Sequence, residues 1–219
     1  MDNASIDETQ NIALRIASEK TQLNYIRINK KGVGVAVREG IKNNNCPIVG
    51  YMGVDLSTDI NHLNDVMTIF KSNSNIMMIN GSRLNKKSVT VGRKWYRNLT
   101  SKGLSFLLKI SLRMKASDSI CGFKFWRKKL IEQLIKEAGE SEDGWFYIIE
   151  LLLRAERTNT IIYELPVHWE DDYNSTVNVT KLIKNYCVQI LRLKKTFKIE
   201  KKYKWKEKEL TQSLGLIIY

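Results

Sequence analysis

Short apolar runs alternate along this chain with longer segments of helical period. Ile48, Val49, Tyr51, Met52 and Val54 form a run that stops at Asp55. "NYIRIN" (24–29), "NIMMIN" (75–80) and "TIIYELPVHWE" (160–170) have the same strand-like character. Pro166 has no amide to give to a ladder, which predicts an edge position for the last of these. Apolar positions recurring at three- and four-residue intervals predict helices over about 61–70, 93–112, 125–138 and 145–157. Near the start, Ile12, Ala13, Ile16 and Ala17 share one face of a further helix. The turn formers of "MDNASIDET" introduce it, with a capping-box spacing between Ser5 and Glu8. "KKGVGVAVREGIK" (30–42) adds a glycine turn feeding a helix, and Trp145, Phe146 and Tyr147 are read as core. Strands alternating with helices predict an α/β architecture, a mostly parallel Rossmann-like sheet flanked by helices. In such a sheet a turn like that at 1–9 normally follows a strand, so the pattern over 1–179 reads as a domain shortened at its N-terminus.

From residue 180 to 219 the pattern changes. Leu182, Ile183, Tyr186, Ile190, Leu193 and Phe197 lie near one helical face, lysines surround them, and Tyr203 and Trp205 follow. A basic amphipathic helix with aromatics suits an anionic membrane surface, with Ile183, Ile190, Phe197 and Trp205 as anchors. The alternative is a helix docked on the domain with a solvated lysine face. Composition sharpens this. Lys and Arg number 36 against 23 acids, a net charge of +13, much of it between Lys181 and Lys208. Such an excess points to an anionic partner: nucleotide, nucleic acid, lipid phosphate or membrane. No nucleic-acid module is present, so nucleic acid is not the expected partner. Cys46, Cys121 and Cys187 make no paired motif, which predicts a reduced, cytoplasmic setting. The two histidines, His62 and His168, argue against a zinc centre or a His-based triad. No apolar stretch approaches the roughly 20 residues that span a bilayer, so the expectation is a soluble or peripheral protein.

The chemistry centres on "CPIVGYMGVDLSTDI" (46–60). An apolar strand ending in an acid and small hydroxyls presents ligands for a metal or phosphate at a sheet's carboxyl edge. Cations of that kind take several oxygen ligands, yet the position two before Asp55 is Gly53.

Eight segments in order carry a resemblance: "DNASIDET" (2–9), "KGVGVAVREG" (31–40), "MGVDLSTD" (52–59), "NGSRLNKKS" (80–88), "RKWYRNLTSKG" (93–103), "DSICGFKFWRK" (118–128), "GWFYIIELLLRA" (144–155) and "ELPVHWEDDYNSTVNV" (164–179). Together they resemble the family 2 glycosyltransferases of GT-A fold, in particular the dolichyl-phosphate mannose and glucose synthase branch. The resemblance implies transfer of a hexose, with inversion, from a nucleotide sugar of the GDP-mannose or UDP-glucose type to a polyprenyl or dolichyl phosphate. It implies that Asp2, Asn3, Lys31 and Asp55 contact the nucleotide sugar and that Asp55 holds Mg²⁺ or Mn²⁺. Arg83, Arg97 and Ser101 match positions that hold the acceptor phosphate. Asp55, Asp118 and Glu150 match catalytic positions. Departures accompany these matches: Asn3 and Gly53 replace acids, Ser57 and Ile120 replace glutamines, and Ile148 replaces an aspartate. With the expected opening strand missing, they leave open a shortened copy, half of a split gene with a partner chain supplying the strand, or a catalytically degenerate homologue that binds or regulates.

Overall fold

The computed structural model describes the backbone of all residues except Lys94, Ser141, 172–178 and 214–219; in its last helix it describes the side chains of 182–203. The chain opens with β1 (Asp2–Asn3), α1 (Thr9–Glu19), β2 (Arg27–Ile28) and α2 (Val33–Lys42). It continues through β3 (Ile48–Met52), α3 (His62–Ser72), β4 (Ile76–Ser82), β5 (Val89–Val91) and α4 (Trp95–Leu112). It closes with β6 (Phe123–Arg127), α5 (Lys128–Ala138), α6 (Phe146–Ala155), β7 (Ile161–Pro166), β8 (His168–Glu170) and α7 (Val179–Ser213).

The main sheet has the order β3-β6-β4-β7. It is mixed rather than mostly parallel, because β6 runs antiparallel to both β3 and β4 while β7 is parallel to β4. The expected helix over 125–138 therefore begins only at Lys128. The preceding residues alternate across the sheet: Phe123 and Phe125 join the cluster around Val66, Phe70 and Ile79, whereas Trp126 enters the opposite core. A segment buried on both faces shows no helical period, which is why its pattern is ambiguous. β7 is an edge strand, as Pro166 predicts, and the run 160–170 breaks at Val167 so that β8 pairs with β5 in a separate two-stranded sheet.

Helices cover both faces. The larger core unites Val49, Met78 and Trp126 with α2, α4, α5, α6 and α7, and all ten residues of α6 are buried. A helix that is apolar nearly all round belongs at the centre of such a layer. α7 contributes Tyr186, Ile190 and Leu193 to this core, with Leu182 and Phe197 packed at its edge. Full burial of a large side chain is worth about 1.5–3 kcal/mol, so these residues hold the helix to the domain. Ile190 is thus no membrane anchor, and Phe197 lies under the Arg157 guanidinium at 3.6 Å. The side chain of Trp205 lies outside the described residues.

Three further expectations are corrected at the surface. α1 forms but has no buried residue; Ile12 and Ile16 stay exposed, since β1 and β2 make a two-stranded pair apart from the main sheet. Ser5 and Glu8 form no capping box: the Thr9 amide donates to Asp7 Oδ1, and Ser5 donates its amide to Asp2 Oδ1. Trp145 is half exposed, while Phe146 and Tyr147 are buried.

Candidate functional site

The C-terminal end of β4 builds the centre of the site. Gly81 packs so closely on β6 that an added Cβ would fall 2.8 Å from the Phe123 carbonyl oxygen. Ser82 Oγ then accepts the amides of Leu84 and Asn85, turning the chain out of the sheet at Arg83. Arg83 forks onto Asp118, with Nε 2.8 Å from Oδ2 and Nη2 3.0 Å from Oδ1, and its own amide donates to Oδ2. Asp118 also accepts the amides of Ile120 and Cys121. Burial alone would raise the Asp118 pKa, but the Arg83 charge and these hydrogen bonds hold it at about 2. A carboxylate committed to five donors is a support for Arg83 and has no spare lone pair for a reacting proton.

A second arginine pair lies beside it. Arg93, just before α4, donates to Asp171 Oδ1 (2.9 Å), to Ser101 Oγ (2.8 Å) and to Asn98 Oδ1 (2.7 Å). Arg97 donates to Asp171 Oδ2 at 3.0 Å, and Trp169 Nε1 to Oδ1 at 2.7 Å. Burial and the nearby Arg83 charge push the Arg93 pKa down, whereas the Asp171 pKa is lowered against its own burial by the Trp169 hydrogen bond and the two arginines. Arg83 lies 4.8 Å over the Trp169 ring. Arg83, Arg97 and Ser101 thus line one cavity of about 440 Å³. Three guanidiniums face two carboxylates, Asp118 and Asp171, which leaves one positive charge for a ligand. Away from this end the walls are Leu104, Leu107, Ile120, Leu182, Ile183 and Tyr186, from α4, the 118–122 turn and α7. Arg93, Trp169, Asp171 and Tyr186 were not anticipated. The four-residue spacing Arg93, Arg97, Ser101 was the available signal, since it puts all three on one helical side.

Asp55 stands on the exposed turn after β3, where its Oδ1 accepts the Ser57 amide at 3.2 Å. An added Cβ on Gly53 would lie 2.6 Å from that oxygen, so a side chain there would share the same space. The turn is stitched to the cavity strand: Thr58 bridges Trp169, and Glu170 donates its amide to the Ser57 carbonyl at 2.8 Å. Among the described residues no cluster of three or more metal-ligating side chains occurs. A divalent cation beside this turn would need oxygens beyond the Asp55 carboxylate, such as those of a diphosphate.

Asp2 is buried, accepting Tyr25 Oη at 2.5 Å and Arg27 at 3.0 Å; hydrogen bonds from Ser5 and Tyr25 depress its pKa to about 2. Asn3 Oδ1 accepts the Gly32 amide at 2.7 Å, so it holds the glycine turn beside Lys31, whose side chain is exposed. Glu150 is not brought to the cavity. It is buried between α6 and α7, bound to Arg154 at 2.9 Å and Arg192 at 2.5 Å, and Arg154 reaches on to Glu200.

A mixed sheet between helical layers, with an acid-tipped strand beside a cationic cavity, is the GT-A glycosyltransferase arrangement. Solved structures of glucosyl-3-phosphoglycerate synthase from Mycobacterium tuberculosis share this fold. The complex with Mn²⁺ and UDP-glucose aligns at TM-score 0.60 and 13% identity, over 88% of this chain and 66% of that one. The chain belongs to glycosyl transferase family 2, whose profile matches residues 1–135. Among curated relatives, glycosyltransferase AglD of Haloferax volcanii is 29% identical over 85% of this chain and 29% of its own length. Dolichyl-phosphate beta-glucosyltransferase ALG5D of Trichomonas vaginalis is 23% identical over 88% of this chain and 60% of its own length. The dolichyl-phosphate beta-glucosyltransferase of Saccharomyces cerevisiae is 28% identical, over 78% and 56% respectively. The chain therefore spans less than two thirds of the length of each.

Proposed function

We propose that the chain transfers a hexose from a nucleotide sugar of the GDP-mannose or UDP-glucose type to a polyprenyl or dolichyl phosphate, with inversion, at the cytoplasmic face of a membrane. The observation that carries this is the cavity: guanidiniums at one end and apolar walls at the other match an amphiphile with an anionic head. Arg83, Arg97 and Ser101, joined by Arg93, would hold the phosphate in line for attack. A phosphate is already anionic near neutral pH and needs no strong general base, which accords with the saturated Asp118. Asn3 and Lys31 would line the nucleotide, while Asp2, buried against Tyr25 and Arg27, would hold their loop rather than touch it. Asp55 would hold Mg²⁺ or Mn²⁺, which when bound neutralises the departing diphosphate. The yeast and Trichomonas relatives, both dolichyl-phosphate glucosyltransferases, support the acceptor class, and the Mn²⁺ and UDP-glucose bound by the mycobacterial synthase support the donor side. The lysines of α7 would add attraction to anionic lipid.

Titration with a short, water-soluble isoprenyl phosphate tests the acceptor assignment. The phosphate should bind and the matching alcohol should not. Arg97→Ala should weaken binding by about 10- to 100-fold, the worth of a charge-assisted hydrogen bond pair. Equal binding of phosphate and alcohol would sink the assignment. One observation favours a second reading, a binding subunit without turnover: Asp118 and Glu150 are both tied up by arginines, which leaves Asp55 as the one acid of the three on an exposed turn. Phosphate binding without product from any nucleotide sugar would select it.

A further inference from the structure

The helix that supplies Arg97 and Ser101 to the cavity turns an unusual face outward. On α4 the inner side carries Ser101, Ser105, Leu108 and Leu112, all buried. On the opposite side Trp95 is 76% exposed, Leu99 62%, Phe106 65% and Ile110 66%. Their spacing puts them on one stripe of the helix, and Gly103, on the same side, would meet nothing within 4 Å if given a Cβ. A water-facing helix surface normally carries polar residues. Here four large apolar side chains of the helix are more than half exposed and share one side of it.

Charge identifies what covers it. The 18 residues of α4 include no acid. Between Leu182 and Tyr203 on α7 the sole acid is Glu200, which is occupied by Arg154. Lys102 and Lys109 flank the strip on α4, and Lys184, Lys194, Lys195 and Lys198 are exposed on α7. The cavity opens between these two helices, with Leu107 and Ile183 partly exposed at its walls. An apolar strip with lysines at its border and no acid on its own helix, on the helix that also walls an apolar opening, is complementary to the boundary of an anionic bilayer, where headgroups meet the lysines and acyl chains the strip. The geometry points to the outer face of α4 as a bilayer-inserting surface of this protein, with α7 held by its inner face to the domain and contributing its lysines and the exposed Val188 and Leu191 on its outer side. The purpose of this surface rests on the lipid-phosphate reading. A lipid anchored in the membrane would then reach Arg93 and Arg97 along the α4–α7 opening without leaving the interface.

The test uses the full chain and vesicles of phosphatidylcholine with phosphatidylglycerol, some carrying brominated acyl chains. Wild-type protein should sediment with the vesicles, and brominated lipid should quench a component of its fluorescence that is missing from Trp95→Phe. The double variant Phe106→Asp/Ile110→Asp, which changes only exposed positions, should lose vesicle affinity by at least about tenfold even at low salt. Its affinity for a soluble isoprenyl phosphate should stay unchanged, which also shows that it is folded. Lys195→Glu/Lys198→Glu should weaken binding at low salt and converge with wild type at high salt. Unchanged sedimentation of the Phe106/Ile110 variant, or no Trp95-dependent quenching, overturns the proposal and leaves α7 as the contact. Self-association of the wild type that the same variant abolishes, without vesicle binding, would overturn it in favour of an interface between two copies. Failure to bind isoprenyl phosphate while vesicles are still bound through α4 would count against the acceptor reading alone.

Discussion

The two ends of this site are built differently. Around the cavity, the charged groups are paired before any ligand arrives: Arg83 on Asp118, Arg93 and Arg97 on Asp171. At the strand tips, Asp55 and Lys31 stand on exposed turns, and Asn3 and Asp2 serve mainly to hold their own loops. The cavity half is rigid because low-dielectric ion pairs with full hydrogen bonding fix its side chains. The tip half keeps its charge for what binds there. A phosphate entering the cavity meets preset guanidiniums, whereas a cation at Asp55 has to be assembled together with its other ligands.

The largest effect is expected where the cavity half is broken. Asp118→Ala leaves the buried Arg83 uncompensated and should destabilise the fold by about 3–5 kcal/mol in chemical denaturation. Because the folded Asp118 pKa lies below its ordinary 3.8, at about 2, the wild-type contribution is present above pH 3.8 and is lost as pH falls through 2. An acid-unfolding curve that is identical in the variant would show that the pair carries no such stability. Next, Glu150→Gln removes the charge shared by Arg154 and Arg192. A loss of about 3 kcal/mol is expected, with faster amide exchange across 182–203. Unaltered exchange there would mean that apolar packing alone docks α7.

Two smaller changes probe the tip half. Gly53→Asp places a second carboxylate next to Asp55 and should tighten Mn²⁺ binding by about tenfold in titrations with nucleotide sugar. Equal affinity in the two proteins would show that Gly53 does not face the ion. Ala4 holds a left-handed backbone at φ 56°, a conformation that costs an L-residue about 1–2 kcal/mol. Ala4→Gly should stabilise by less than about 1 kcal/mol, because glycine relieves that strain but gains freedom when unfolded. A loss of stability would indicate that the Ala4 methyl group has packing of its own.

Much of this protein is legible in its residue pattern. The β/α alternation, the edge position marked by Pro166, the strand ending near Asp55 and the helix carrying Arg97 and Ser101 all follow from local period and backbone chemistry. So does an anionic partner, since a net charge of +13 needs no fold to be counted. Local pattern could not decide the direction of β6, because Phe123–Arg127 is buried on both faces and antiparallel insertion depends on what lies on either side. Nor could it tell which charged residues meet. Asp118 and Arg83 are 35 positions apart, and Asp171 lies 78 positions from Arg93, so only the folded chain makes them partners. The same holds for the faces of the two helices beside the cavity. Both helices send one apolar side to the core, Tyr186, Ile190 and Leu193 on α7 and Leu108 and Leu112 on α4, while Leu191 and Phe106 stay outside, because amphipathic period fixes that a face exists and only packing decides what covers it.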